Sequence, residues 1–515
     1  MEKKRTVRRS SLAGLLTPWP TEIGSALRRL AAAAGEIFIS GGTVRDRLLG
    51  QVAGDLDLTV AGDAAGCCRE LIGLLGGGAF VELGRTGEDV GRVVWRGLTV
   101  DIAGFRGGAR TVAEDLCRRD YTVNAMAVPL SSLAAGRDPE LIDPLHGCED
   151  LQMGLLRACP GAFVDDPLRM LRGFRFQATL GFVFDDATLA GIGRDAGLIA
   201  GPAAERISYE LALIMDSGRA CPVFRAMDDA GLLDHIVPEL SAGKGVQQPE
   251  FHHLDVHAHS FAAFEQMEAI IDCPGCYYPH AAGRLADYLA VGPRRRCLKW
   301  AALCHDIGKP ATRKIAAEQN GRVTFYSHDE TGRDIFHHFA ERLKWSKEER
   351  ECAAGLIGMH MHPFHLCNVR RREALSKRAV LKLCQRAGSD LDGLFLLAMA
   401  DSLASRGEKK PPQMEEELVA LFAEVLKILE EDIRPVASGP PLLTGDDLIA
   451  ELGLTPGPIF GTILQELEAL RVEGLITGRD QALAWVGAFL ANGAGRVSVQ
   501  AERDGFRLVK ENQMD

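Results

Sequence analysis

No apolar stretch in this chain approaches the ~20 residues that a helix needs to cross a bilayer. The basic start, MEKKRTVRRSSLAGLL, has too short an apolar part for a secretion signal, and no small-residue cleavage site follows it. A cytoplasmic protein is expected. A disulfide framework is missing as well. The 13 cysteines are an odd number, scattered singly through apolar segments, and this predicts reduced thiols packed as small hydrophobes. Cys273-Pro-Gly-Cys276 is a CxxC with no second pair, so a turn with incidental thiols is expected there, the zinc reading needing more ligands. Internal repeats and long low-complexity tracts are absent. So is an excess of basic residues: 59 Lys and Arg stand against 70 Asp and Glu, a formal charge of −11. That balance argues against a general nucleic-acid coat protein but leaves room for a local basic groove.

What is present is an ordinary globular mixture, 46% hydrophobic and 25% charged, which excludes wholesale disorder and fibrous repeats. At ~100–200 residues per domain, 515 residues predict three or four domains. Ala-rich residues 20–35 read as a helix, Ile37 to Ser40 as a strand, Val44 to Leu49 as a helix that Gly50 ends, and Asp55 to Val60 as an alternating strand. Residues 92–105 read as two strands around Gly97. Patterns from 137 onward are helical, interrupted by the Pro-rich polar stretches 405–413 and 434–445, which read as linkers. Thr444 offers a cap to a last small helical unit. The boundaries expected are an α/β head at 20–136, a helical neck at 137–245, a histidine-rich helical domain at 250–405, a linker region at 406–445 and a helical tail at 446–515.

The first chemical constellation is Gly41-Gly42-Thr43-Val44-Arg45-Asp46, then Asp55-Leu56-Asp57. A Gly-Gly turn after a strand lets a ligand approach the backbone, and the following helix start favours phosphate. Arg45 can pair with phosphate in bidentate geometry. Strand alternation puts Asp55 and Asp57 on one face and Leu56, Leu58 and Val60 on the other. Adjacent like charges are costly unless a cation shares them, and Mg²⁺ suits carboxylates together with phosphate oxygens. Asp101, on a neighbouring predicted strand, is the candidate third carboxylate. Further on, Arg169, Arg172 and Arg175 recur every three residues and form a stripe on one helix, with Asp166 a turn before Arg169. Asp166 as acceptor and Arg169 as donor could form a fixed pair that offers hydrogen bonds to a base edge.

These residues stand in an order that resembles the class II tRNA nucleotidyltransferase and bacterial poly(A) polymerase family, within the polymerase-beta-like superfamily. GGTVRDRLLG…DLDLTV is similar to its first motif. Arg118-Arg119-Asp120-Tyr-Thr-Val-Asn124-Ala-Met is similar to RRDFTINAM, Asp143-Pro-Leu-His-Gly147 to DPxxG, Asp165-Asp166-Pro-Leu-Arg169 to Arg175 to EDxxRxxRxxRF, and Glu205-Arg206-Ile-Ser-Tyr-Glu210-Leu to ERIxxEL. Asp165 stands where the family has Glu. The resemblance implies a nucleotidyltransferase palm followed by all-α neck, HD and tail domains. It implies that Asp55 and Asp57 hold Mg²⁺, that Gly41, Gly42, Arg45 and Asp46 face the triphosphate, and that Arg118, Arg119, Asp120 and Asn124 serve triphosphate and ribose. Asp166 and Arg169, with Arg172 and Arg175 behind them, would select the base from CTP or ATP without a nucleic-acid template, and tRNA would be the acceptor. Only GGARTVA (107–113) separates Arg106 from Glu114, where relatives that add a whole CCA end carry a longer flexible loop. In the family its loss goes with addition of the two cytidines alone. C addition is therefore the preferred reading, with full CCA addition and poly(A) addition as alternatives. A third is a metal phosphohydrolase whose N-terminal region only binds RNA.

The second constellation is His305-Asp306 in ALCHDIGKP, with His259 upstream and His328, His360, His362 and Asp401 downstream. This order resembles the HD metal-dependent phosphohydrolase superfamily. The resemblance implies a divalent metal on His259, His305, Asp306 and Asp401, with His328 and His360 as further candidates, of an identity that imidazole and carboxylate do not specify. A scaffold that has lost activity is the competing expectation. The basic residues Lys3, Lys4, Arg5, Arg8 and Arg9 read as a solvated tail. The arginine helix and the tail domain are the candidates for tRNA contact through phosphate and 2′-OH groups. No membrane and no protein partner is inferred.

Overall fold

The computed structural model describes residues 14–33, 35–83, 89–137, 139–249, 251–316, 322–492, 497–502 and 505–510, together with Val7 and Leu12. Lys3, Lys4, Arg5, Arg8 and Arg9 lie outside them. Two compact units divide the chain, residues 1–238 and 239–515. Among the described residues no helix is long and apolar enough to cross a membrane.

The first unit is built on a six-stranded mixed sheet: β1 Ile37–Ser40, β2 Leu56–Val60, β3 Ala79–Glu82, β4 Val90–Trp95, β5 Leu98–Gly104 and β6 Ala127–Pro129, in the order β3-β4-β5-β2-β1-β6. The β2–β5 pair is parallel and the others are antiparallel. The Gly97 turn joins β4 to β5, as the sequence predicts. Leu56, Leu58 and Val60 are buried, so the opposite face of β2 is left to Asp57 and Thr59. Helices Thr21–Ala33 and Ala64–Leu75 pack on one another, the second also against β3, β4 and β5. The neck follows as helices Leu168–Leu180, Asp186–Asp195, Ala204–Met215 and Ala220–Asp229. The first unit ends at Pro238, a little before the expected boundary at 245.

The second unit sets helices Val256–Asp272, Arg294–Cys304, His328–Arg342, Lys347–Met359 and Leu391–Ala404 against one another. Three expectations need correction here. The region read as linker contains the helix Met414–Ile428, whose Leu418, Leu421, Phe422 and Val425 are fully buried. Flanking prolines hid an amphipathic repeat between them. Cys273 and Cys276 are joined in a disulfide across the Pro274-Gly275 turn, and the other eleven cysteines are free thiols. In the tail, Thr444 and Asp447 form a reciprocal capping box. Helices Gly445–Leu452, Pro458–Val472 and Arg479–Ala491 enclose a small core of Leu448, Ile463, Leu467, Trp485, Val486 and Phe489. The tail is not helical to its end: Val497–Glu502 pairs antiparallel with Gly505–Lys510.

Candidate active site and metal centre

Gly41 ends β1 and begins the helix Gly42–Leu48 with φ 67°, a left-handed conformation that glycine adopts without strain. A Cβ there would stand 2.8 Å from Arg119 Nη1 and 3.3 Å from Asp57 Oδ2, and one on Gly42 would stand 3.2 Å from the same oxygen. The two glycines thus keep the approach to Asp57 open. Thr43 supplies a link that sequence reasoning missed. Its hydroxyl donates to the Asp55 carbonyl (3.1 Å) and accepts from the Asp57 amide (2.8 Å), fastening the helix start to the carboxylate segment. Asp57 stands in register with Asp101 on β5. Burial raises its pKa; Arg119 pulls it back and Asp101 pushes it up again. Asp55 lies one residue before β2 and is exposed. Asp101 departs from expectation: both its oxygens are held by Arg92 (2.7 and 2.8 Å), so the candidate third metal ligand is an ion-paired neighbour of Asp57. The partner is opposite Asp101 on β4, a cross-strand relation that no local spacing reveals.

From Arg45 a continuous polar chain runs to the arginine helix. Arg45 donates to Asp46 (2.8 Å) and to Asn124 Oδ1 (2.8 Å), Asn124 donates to Asp120 (3.1 Å), and Asp120 accepts two bonds from Arg172 (3.0 and 2.7 Å). Burial alone would raise the Asp120 carboxyl. Arg172, Asn124 and the Tyr121 amide instead hold it well below the usual carboxylate range. Arg119 is buried, with Nη2 donating to Ser40 Oγ (2.8 Å) and Thr59 Oγ1 (2.7 Å) and pairing with Asp115 (3.4 Å). Burial pushes it down to about 10, so it stays charged at neutral pH. Arg119 and Asp120 therefore brace the walls of the site, since their partners are protein groups. Arg118 is exposed and lies against Gly107, apart from this network.

The arginine stripe forms, and Phe176 organises it. Arg45, Arg172 and Arg175 lie 5.3, 5.7 and 4.5 Å from its ring centre. Arg175 also pairs with Glu210 (2.7 Å). The expected Asp166–Arg169 pair is not formed. Pro167 starts the helix between them, and Asp166 turns back to accept from the Leu168 amide (3.2 Å) and from Arg206 (2.9 Å). Arg169 donates to the carbonyls of Arg119 (3.2 Å) and Ala162 (3.3 Å). Arg206 and Glu210 both stand in the ERIxxEL segment, whose site roles the sequence did not disclose.

In the second unit, five helices bring the predicted histidines and aspartates together. His259, His305 and Asp401 form one buried group; Asp306, His328 and His360 form a second. His259 Nε2 lies 3.2 Å from His305 Nε2 and 3.0 Å from Asp401 Oδ1. Gly308 permits this assembly, because a Cβ there would collide with the His328 carbonyl. Burial pushes His360 down to about 3. Burial opposes the His305 charge too, but Asp306 and Asp401 raise that ring to about 9. Lys309, unremarked in the sequence, donates to Asp306 Oδ2 and to Gln248 (both 2.6 Å). His362 stays outside, paired with Arg386 (2.8 Å).

Family comparisons match this arrangement segment by segment. Residues 103–157 match the poly A polymerase head domain, 181–244 the probable RNA and SrmB-binding site of polymerase A, and 280–391 the HD domain. An A-adding tRNA nucleotidyltransferase of Deinococcus radiodurans is 34% identical over 87% of this chain and 94% of its own length. A CC-adding tRNA nucleotidyltransferase of Thermus thermophilus is 32% identical over 88% and 93%. Among solved structures, a CCA-adding enzyme with CTP superposes with a TM-score of 0.61 at 20% identity, over 95% of this chain and all of the other, and a Thermotoga maritima CCA-adding enzyme with tRNA at 0.60 and 21%, with the same coverage. These structures share the fold. With relatives of that identity matched over nearly their whole length, the chain belongs to the family of tRNA nucleotidyltransferases and bacterial poly(A) polymerases.

Proposed function

We propose that this protein transfers cytidylate from CTP to the 3′ end of tRNA, with no nucleic-acid template. The observation that carries the cytidine choice is the closed segment after β5. Arg106 pairs with Asp115 through both oxygens (3.1 and 3.0 Å), the Arg106 amide adds a third bond (2.9 Å), and Thr111 caps the helix Val112–Leu116. Seven residues held in this way leave no length for the longer loop of relatives that complete a CCA end. The relatives named CC-adding, from Thermus thermophilus and Geobacter sulfurreducens, support this reading. A-adding activity is the second reading, favoured by the name of the Deinococcus relative.

The donor set fits Mg²⁺: hard carboxylate oxygens of Asp55 and Asp57, with Asp57 desolvated beside a second acid and the space in front of it kept clear by glycine. Bound there, Mg²⁺ would supply charge neutralisation for the triphosphate and the attacking hydroxyl. The protein's own part is positioning. Thr43 sets the carboxylates, Arg45 faces the triphosphate from the same turn, and Asp120 with Asn124 holds Arg45 and Arg172 in register. Arg169 lies in the first turn of the helix that would face the base, with Asp166 just before its cap. The tRNA 3′-hydroxyl oxygen bonds to the α-phosphorus as the bond to the β-phosphate bridging oxygen breaks, releasing pyrophosphate. In the second unit, we read the HD centre as a divalent-metal site for phosphoester hydrolysis. Incubating the protein with tRNA that lacks its CCA end, with CTP alone or ATP alone, tests the main reading. Extension by two nucleotides with CTP alone is expected. Single additions with ATP alone establish the second reading, and long ATP tails refute both.

A further inference from the structure

Arg92, Asp101 and Asp57 stand opposite one another on β4, β5 and β2, so their side chains leave the same face of the sheet. Neighbouring strands are about 4.8 Å apart, and the row therefore runs roughly 10 Å from Asp57 to Arg92. Asp101 takes the Nε and Nη2 atoms of Arg92. Nη1 donates to no group among the described residues, and the side chain is 38% exposed.

Tyr209 meets this end of the row from the neck. It lies on the helix Ala204–Met215, between Arg206, which donates to Asp166 (2.9 Å), and Glu210, which accepts from Arg175 (2.7 Å). Those two bonds turn this stretch of the helix toward the arginine helix. Tyr209, three residues after Arg206, stands at the edge of the same face. The bonds with Asp101 do most to raise the Arg92 pKa, and Asp55 and Tyr209 act on it as well, so ring, guanidinium and carboxylate segment share one space. Packing does not account for the ring. Every other Phe, Tyr or Trp described in the first unit is buried or half-buried, whereas Tyr209 is 64% exposed. Its hydroxyl makes no hydrogen bond among the described residues. A bare ring beside a cation is the pairing that holds single-stranded nucleic acid: a base stacks on the ring and a phosphate meets the guanidinium.

The reaction geometry selects the base. The attacking hydroxyl and the leaving pyrophosphate lie in line on opposite sides of the α-phosphorus. Gly42 and Arg45 take the triphosphate side and the arginine helix takes the incoming base, which leaves the Asp101–Arg92 side to the strand that carries the hydroxyl. We propose that Tyr209 is the platform on which the last base of the RNA acceptor stacks, with Arg92 beside it for that nucleotide's phosphate. The proposal rests on the nucleotidyltransferase reading of the head.

The full chain and its Tyr209→Ala, Tyr209→Phe and Tyr209→Leu variants are compared in steady-state extension of tRNA that lacks its CCA end. Tyr209→Ala should raise KM for tRNA by about 10-fold, the worth of one stacked base, and leave KM for CTP unchanged. Tyr209→Phe keeps the stacking surface and should restore KM for tRNA; Tyr209→Leu should not. The same tRNA ending in 2-aminopurine gives a readout without turnover, because stacking on the ring quenches its fluorescence. Quenching is expected with the wild type and Tyr209→Phe and not with Tyr209→Ala. An unchanged KM for tRNA in Tyr209→Ala, an equal loss for tRNA and CTP, or rescue by Leu as complete as by Phe overturns the platform. A wild type that extends with neither CTP nor ATP overturns the nucleotidyltransferase reading instead, and the quenching then decides the stacking alone.

Discussion

At the scale of single residues, the head site is held by side chains bonded to one another and to the backbone. Thr43 satisfies the half-buried Asp57 amide near the start of β2. Thr43→Ala should lower kcat for nucleotide addition by roughly 10–100-fold, because a displacement of the order of 1 Å at a reacting group is that costly. Thr43→Ser should restore most of it, and steady-state extension kinetics of the two variants provide the check. Asp120 carries a pH signature. Its folded pKa lies below the ~3.9 of an unfolded aspartate, so its pairing with Arg172 stabilises fully above that value and the contribution is lost as pH falls through the folded pKa. The stability gap between the wild type and Asp120→Asn should be widest near pH 7 and shrink progressively below about pH 4. Denaturant melts at a series of pH values measure it; a gap independent of pH contradicts the assignment. The sequence disclosed these acids and arginines by type and spacing. It did not disclose their partners, since Arg92 with Asp101 and Arg206 with Asp166 meet through strand pairing and helix packing.

At the scale of elements, β2 was legible because its apolar residues alternate, and the arginine helix because its charges recur every three residues. Helix Met414–Ile428 was not, since prolines and charges at both ends outweighed a short buried stripe. The Asp166–Arg169 spacing misled for a related reason: Pro167 places the helix start between them, so a spacing that reads as one turn spans a cap. Gly308 shows how one small residue sets the distance between elements. A methyl group at this position would overlap the His328 carbonyl and stand 2.6 Å from the Gly332 amide nitrogen, so Gly308→Ala must push the helix His328–Arg342 outward. Metal binding at the HD centre should fall at least roughly tenfold, the equivalent of about 1.4 kcal/mol, while nucleotide addition keeps its wild-type rate. Mn²⁺ titration beside an extension assay reads both, and loss of addition in step with metal would contradict the separation of the two centres.

At the scale of the whole molecule, two compact units each carry a cluster of acids with its own chemistry. Oxygen donors beside a glycine turn in the first suit a hard cation and a triphosphate; imidazole with carboxylate in the second suits a softer range of metals. The family and the order of its segments were legible, because motif residues must keep their spacing to reach one site. The hairpin after residue 496 was not, for its sequence continues without a break in composition. Of all the side chains in the head, Asp57 is the carboxylate on which nucleotide transfer should depend most. The most direct measurement compares the full wild-type chain with Asp57→Ala for CTP-dependent extension of tRNA lacking CCA, with Mn²⁺ binding at the HD centre read in parallel. Extension should fall by about 10²–10³-fold, the range seen when a central electrostatic group is removed, with HD metal content unchanged. Extension that persists near the wild-type rate in a variant that still folds would contradict that dependence.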